Sequence, residues 1–98
     1  MSTLGSGARY LIADTSLSGT TARPVRVFNA TWLSGTTAGD LTLRNGTDTS
    51  GNTWVMEPGI ASHTESINFT DGLLFPGGCF VDLDANTTSV AIEFSIEA

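Results

Sequence analysis

The chain has 98 residues, of which 40% are hydrophobic and 14% are charged, and its formal net charge at pH 7 is −6. This length suits one domain with its own core, and the four basic residues, all arginines, are too few to neutralise many phosphates, which argues against a nucleic-acid partner. No apolar run approaches the roughly 20 residues that span a bilayer, and no basic segment followed by an apolar core opens the chain. We therefore expect no membrane contact, no signal peptide, and synthesis and folding in a cytoplasm.

The low charge also bears on the kind of surface that the protein presents. An average soluble domain has about 25% charged residues, whereas here Thr, Ser, Asn and Gly take their place. Such a surface is covered by a partner at lower cost, because burying unpaired charge is expensive, and the cores of interfaces are depleted in charge. The composition favours a protein that assembles with neighbours. The alternative is an ordinary Thr-rich β-protein, since threonine favours strands.

The N-terminal residues are small and polar, which predicts a flexible arm over residues 1–8 and one folded domain over residues 9–98. Runs with apolar residues at every second position then predict short strands. These runs lie at residues 9–13, 24–33, 40–44, 53–57 and 65–70. In the fourth run, Trp54 and Met56 are expected on one face with Val55 on the other, and in the fifth Ile67 and Phe69 are expected on the buried side. Turn dipeptides follow three of the runs: Asn45-Gly46, Pro58-Gly59 and Asp71-Gly72.

A hexapeptide, LSGTTA, occurs at residues 17–22 and again at residues 33–38. Two copies do not make a solenoid, which needs at least about three stacked units. The repeat predicts two loops of similar shape, in which Gly19 and Gly35 supply backbone freedom.

The C-terminal residues 72–98 carry the clearest pattern of the chain. Residues at every second position are apolar in the last run: Val90, Ile92, Phe94 and Ile96. A period of two over this length indicates a half-buried strand. An earlier run, in which Cys79, Val81 and Leu83 alternate with Phe80 and Asp82, indicates another, and a short Asn/Thr segment separates them. The two runs together predict a C-terminal β-hairpin.

The spacing of strands and turns predicts the fold class. About seven or eight short strands with turn signals every eight to twelve residues indicate an all-β protein, and no long segment has a helical period. We therefore predict a single-domain antiparallel β-sandwich, jelly-roll or immunoglobulin-like, with a small barrel as a further possibility. The Cys-Trp-Cys spacing of true immunoglobulin domains is absent.

The residues that usually carry chemistry are few. The single histidine, His63, is not accompanied by a Gly-x-Ser-x-Gly nucleophile motif. A zinc site would need several Cys or His ligands, and the chain has one of each. Asp82, Asp84 and Asn86 alternate as calcium ligands do at the start of an EF-type loop, but Thr87 replaces the required glycine, so a solvated turn capped by its own side chains is favoured. The lone cysteine, Cys79, forms no intrachain disulfide and is expected to be a buried, inert thiol. We predict no catalytic, cofactor-binding or metal-binding residue, no cofactor, and no enzymatic activity.

Two tryptophans are the best candidates for recognition. An exposed Trp32 or Trp54 would stack on a sugar ring or fill a pocket of a partner. Because both lie within apolar runs, a place in the core is the favoured interpretation.

Two segments resemble small virion proteins of tailed bacteriophages. They are SGTTAGDLTLRNGTDTSG at residues 34–51 and GLLFPGGCFV at residues 72–81, and with their surroundings they cover about half of the chain. The resemblance implies a β-sandwich present in many copies on the particle, often as trimers that decorate or cement the capsid. It transfers no functional residue, because it rests on general composition and not on a position-specific motif.

These observations predict a non-enzymatic structural protein of a phage virion, a capsid decoration or cement protein that stabilises the head by oligomeric contacts. The expected partners are other copies of the chain, as a homo-oligomer and specifically a trimer, and the major capsid protein or other virion proteins. The alternative is a tail, fibre or lectin-like module that contacts host glycans through Trp32, Trp54 and the loop at residues 45–52.

Overall fold

The computed structural model describes residues 3–97, with side chains described for residues 7–97. This part of the chain forms eight strands. They are β1 (Thr3–Leu11), β2 (Thr15–Ser16), β3 (Val25–Ser34), β4 (Leu41–Asn45), β5 (Asn52–Glu57), β6 (Thr64–Phe75), β7 (Cys79–Leu83) and β8 (Thr87–Glu97). No helix long and apolar enough to cross a membrane occurs within residues 3–97.

The strands form two four-stranded sheets, in the orders β1-β8-β3-β6 and β2-β7-β4-β5. All neighbours are antiparallel. The first strand pairs with the last, the second with the seventh, the third with the sixth and the fourth with the fifth, so the chain is one long hairpin wrapped into two layers. This order is that of a jelly roll. The predicted all-β antiparallel sandwich is confirmed.

The core lies between the two sheets and is built by the alternation seen in the sequence. On β4 and β7, Leu41, Leu43, Cys79 and Val81 are completely buried, while the residues between them are half-buried. The other buried apolar residues are Leu11, Leu17, Val25, Val27, Ala30, Trp32, Val55, Phe75, Val90, Ile92 and Phe94. Ile67 and Phe69 pack partly buried against this core, as predicted. A core of this kind contributes through the apolar area that it removes from water.

The predicted C-terminal hairpin is wrong, although both of its strands exist. The segment at residues 84–86 carries the chain from one sheet to the other, so β7 pairs with β2 and β4 while β8 pairs with β1 and β3. Strand length gives the physical reason. β8 has 11 residues and its neighbours have 9 and 10, whereas β7 and β4 each have 5. Neighbours of matched length leave few backbone groups without a partner.

The first strand begins earlier than predicted. Residues 3–8, predicted as part of a flexible arm, belong to β1, and Gly5 to Leu11 pair in register with Ile96 to Val90 of β8. Met1 and Ser2, the start of the predicted arm, lie outside the described residues.

Two further expectations about local structure are corrected. Asp71 and Gly72, predicted as a turn that ends a strand, lie inside β6 with φ of 65° and 82°. They belong to a four-residue bulge, at residues 69–72, opposite Phe28, because Val27 pairs with Leu73 and Asn29 with Asn68. Such a bulge inserts extra residues without ending the strand. The two copies of the hexapeptide also differ: the first forms a turn, whereas the second begins as the last two residues of β3.

Candidate interaction surfaces

Trp32 is a core residue and is not available to a ligand. It lies on β3 with 3% of its surface exposed, and its indole Nε1 donates a hydrogen bond to the carbonyl oxygen of Gly39 at 3.3 Å. A buried indole N–H needs such a partner. Trp32 therefore ties the end of β3 to the loop that follows it, at residues 35–40.

Trp54 lies at the surface and contacts a residue of the other sheet. It is 44% exposed, and its ring stacks on that of Phe75, with centroids 5.4 Å apart. The register of β5 against β4 shifts between Leu43 and Arg44, so that Trp54 has no partner residue on β4. Burial follows the expected alternation, because Val55 is buried while Trp54 and Met56 on either side of it are exposed.

The loop between β4 and β5, at residues 46–51, is ordered by its own side chains. Asp48 accepts hydrogen bonds from the backbone N–H and the hydroxyl of Ser50. Those two bonds lower the pKa of the Asp48 carboxyl from its ordinary value, because they stabilise the charged form. The loop immediately precedes the strand of Trp54, so the two lie next to each other on this side of the molecule.

His63, Asp82 and Asp84 each make a hydrogen bond to a different part of the chain. The ring of His63 is exposed, with Nδ1 at 2.8 Å from the carbonyl oxygen of Ala61. Asp82 accepts a bond from Nε of Arg44 at 3.0 Å, and Asp84 accepts one from the backbone N–H of Asn86 at 2.8 Å. Asp84 thus caps the turn after β7, as the favoured interpretation predicts. Within the part of the chain that is described, no group of three or more His, Cys, Asp or Glu side chains is placed to hold a metal ion.

Cys79 is fully buried, and burial raises the pKa of its thiol to about 12 from an ordinary 9.0. We expect its thiolate fraction at pH 8 to be roughly a thousandfold lower in the folded protein than in the unfolded chain. A thiol-specific disulfide reagent should therefore label the protein rapidly in denaturant and scarcely at all without it. Since the unfolded thiol ionises first, this group also makes stability fall as the pH rises from 9.0 towards 12. Equally fast labelling of the folded protein at pH 8 would contradict this description.

Exposed apolar side chains lie mainly on two opposite edges of the sandwich. On the edge strand β1 and just after it, Tyr10 is 71% and Ile12 is 74% exposed. At the other side, on the edge strand β5 and the loop after it, Met56 is 61% and Ile60 is 54% exposed, beside the half-exposed Trp54. Leu33, near the end of β3, is also exposed, but less so than these residues. We call the first group, with Arg9, the β1 edge, and the second group, with Glu57 and Glu65, the β5–β6 edge.

The charges of these edges differ in sign. Arg26 pairs with Glu97 at 2.8 Å and Arg44 with Asp82 at 3.0 Å, while Arg9 and Arg23 make no ion pair within residues 7–97. Arg9 is exposed on β1, and Glu57 and Glu65 are half-buried at the end of β5 and the start of β6. Neither glutamate makes an ion pair within the same described side chains. The strand β1 therefore carries an exposed cation on the face opposite to Tyr10, and the other edge carries carboxylates.

An open depression of about 340 Å³ lies over β1, β8 and β3. It is lined by Gly7, Phe28, Glu93 and Phe94, and a Cβ placed on Gly7 would meet no atom within 4 Å. It is open to solvent, and Glu93 is the charged group of its lining.

Sequence reasoning singled out Trp54 but missed the two edges. Tyr10 and Ile12 flank the buried Leu11, so the period of two places them away from the core. That signal was present in the sequence, but only the sheet order shows that β1 is an edge. No family model matches the chain, and no curated protein matches its sequence.

Proposed function

We propose that this protein is a non-enzymatic structural protein of a tailed-phage particle, a capsid decoration or cement protein that acts as a homo-oligomer, specifically a trimer. Its partners are copies of itself and the major capsid protein or another protein of the shell. The observation that carries this proposal is the pair of apolar edges on a sandwich with only 14% charged residues. Apolar groups left exposed on opposite sides of so small a domain support a role in contacts with partners.

The fold supports the proposal by analogy. Jelly rolls occur in viral capsid and lectin domains, although a fold by itself does not imply a function. Each contact would stabilise the shell by about 25 cal/mol for each Å² of apolar area buried, before the cost of association. Repetition over a symmetric shell then multiplies a weak contact through avidity.

Quantitative mass spectrometry of the purified particles tests this function. We expect the chain in a copy number comparable to that of the major capsid protein, whose peptides serve as the internal standard. Removing its gene should lower the temperature at which the heads release their DNA, and adding the purified protein should restore it. Absence from the particle, or only a few copies in each, would rule out decoration.

A tail, fibre or lectin-like module is the second candidate, favoured by the exposed face of Trp54 beside the loop at residues 46–51. Binding on a glycan array that disappears in the Trp54→Ala variant, together with a location at the tail, would favour it over decoration. Trp32→Ala is unsuitable for this test, because Trp32 is in the core and its loss would disturb the fold.

A further inference from the structure

We propose that Asn45 is a site of covalent modification, at which the side-chain amide is converted to an acid, and that the turn between β6 and β7 controls the reaction. The turn, at residues 76–78, blocks the reaction while it is bound to Asn45 and Gly46, and permits it when it moves away. The inference goes beyond the proposed function and does not depend on it, because it concerns the chain alone.

The sequence supplies the reactive pair. Asn45-Gly46 is the single Asn-Gly dipeptide of the chain, and glycine has no Cβ to hinder attack by its own backbone nitrogen. Hydroxide removes the proton of that nitrogen, which then forms a bond to Cγ of Asn45. The bond from Cγ to Nδ2 breaks, and Nδ2 takes a proton from water and leaves as ammonia. Water then opens the resulting cyclic imide at either of its carbonyl groups, which gives aspartate or isoaspartate.

The nucleophile is blocked in the folded protein. The N–H of Gly46 donates a hydrogen bond to the carbonyl oxygen of Gly78 at 2.9 Å. The turn that carries this carbonyl is closed by a bond from the N–H of Gly78 to the carbonyl oxygen of Phe75 at 3.2 Å. An amide in such a bond exchanges its proton only when the bond opens. The first step of the reaction therefore requires the turn to separate from Gly46.

The electrophile is held by the same turn. Oδ1 of Asn45 accepts a hydrogen bond from the N–H of Gly77 at 2.9 Å. This bond does not by itself protect the amide, because a donor at Oδ1 stabilises the negative charge that forms there during attack. The reaction is therefore blocked at the nitrogen of Gly46 and not at Cγ of Asn45.

The isoaspartate product does not fit the native structure, because it has one more methylene group in the main chain. Asn45 pairs with Asn52 on one side and Cys79 on the other. A Cβ placed on Gly51 would lie 2.6 Å from the carbonyl oxygen of Asn45 and 3.2 Å from Cα of Gly46, so the main chain here is already in close contact with the end of the loop. A longer main chain would overpack this contact and shift the pairing. An opening that leads to the reaction is therefore irreversible.

Peptide mapping by mass spectrometry tests the block. The chain is incubated in mildly alkaline buffer with and without denaturing urea, and isoaspartate at position 45, which forms through the cyclic imide, is quantified over time. We expect the reaction to be at least roughly tenfold slower in the folded protein, because it proceeds only through the open fraction. Equal rates in the two states would overturn the proposal.

The variant Gly78→Ala tests the role of the turn. Gly78 has a φ of 100°, at which a side chain is strained. Its Cβ would lie 3.0 Å from Oγ of Ser18 and 3.1 Å from the carbonyl oxygen of Gly46. The substitution should displace the turn and raise the rate of isoaspartate formation at Asn45, in a protein that is still folded by circular dichroism, by at least roughly threefold.

Gly39→Ala is the matched control for Gly78→Ala. It also places a Cβ too close to its neighbours, but these are Asn86 and Thr87 and not the turn. The rate at Asn45 should therefore rise only in proportion to the unfolded fraction of this variant. If the rates in both variants follow their unfolded fractions alike, the reaction needs complete unfolding and the role of the turn is overturned.

Hydrogen exchange measured by NMR needs no variant, and it decides the matter if Gly78→Ala does not fold. The amide proton of Gly46 should exchange at least roughly tenfold more slowly in the folded protein than in the unfolded chain. As urea is added, this exchange and the reaction at Asn45 should accelerate in parallel. Exchange of Gly46 in the folded protein at the rate of the unfolded chain would overturn the proposal.

Discussion

Replacing Phe75 with alanine should lower the free energy of unfolding by about 3 to 5 kcal/mol, measured by urea denaturation. Phe75 has no exposed surface, so the substitution removes apolar contacts and leaves a cavity. It pairs with Val25 at the end of β6 and stacks on Trp54 across the seam between the sheets. Because the total free energy of unfolding of a small domain is only about 5 to 15 kcal/mol, this single substitution would remove a large part of the stability.

Tyr10→Ala is the matched control for Phe75. It also removes an aromatic ring, but that ring is 71% exposed, and surface substitutions usually change stability by no more than about 0.5 kcal/mol. Equal losses for the two variants would contradict the description of Phe75 as a core residue.

Replacing Gly39 with alanine should cost about 3 kcal/mol, at the upper end of the range for overpacking a well-packed site. A Cβ on Gly39 would lie 2.5 Å from Oγ1 of Thr87 and 2.6 Å from the backbone carbonyl of Asn86. The neighbouring backbone has little freedom to move away, because Thr87 donates a hydrogen bond to the carbonyl of Asp40 at 2.8 Å and Ser34 accepts one from the N–H of Gly39 at 3.0 Å. The reason for glycine here is close approach of two loops.

Gly35→Ala, four residues earlier in the same loop, is the control. A Cβ there would meet its nearest atoms at 3.6 Å, which is ordinary contact distance, so the unfolding free energy should change by less than about 1 kcal/mol. Thermal and urea unfolding of both variants would test the pair. A Gly39→Ala protein as stable as Gly35→Ala would show that the two loops are not packed together as described.

The locally encoded features of this protein were predictable. Alternation at Val90, Ile92 and Phe94 identified β8, since burial of one face of a strand leaves a period of two in its sequence. The dipeptide Asn45-Gly46 likewise placed the turn after β4, where Gly46 has a φ of 154°. Strand existence and fold class follow from such signals, because each depends on residues within a few positions of one another.

The candidate surfaces were harder to predict. The sequence shows that Tyr10 and Ile12 point to the same side of a strand, but an interior strand and an edge strand can have the same pattern. Trp54 was identified as a possible surface residue, yet the ring that it contacts, Phe75, belongs to a strand of the other sheet. That contact depends on how the two sheets pack, which no local pattern in this run indicates.

The hexapeptide LSGTTA shows most clearly the difference between local sequence and tertiary structure. Its first copy is a turn with Leu17 buried and Gly19 at a φ of 72°, whereas its second copy continues β3 with Leu33 exposed and Gly35 outside the left-handed region. The sequence by itself indicated most of the strands, because side-chain periodicity is local, but not β2, the start of β1 or the continuation of β6 past Asp71. Only the tertiary structure decided which strands pair, which become edges and which apolar side chains remain exposed. Every strand has the same backbone hydrogen-bonding groups, so these groups do not select a partner. The partner is selected by strand length and by burial of side chains that are distant in the sequence.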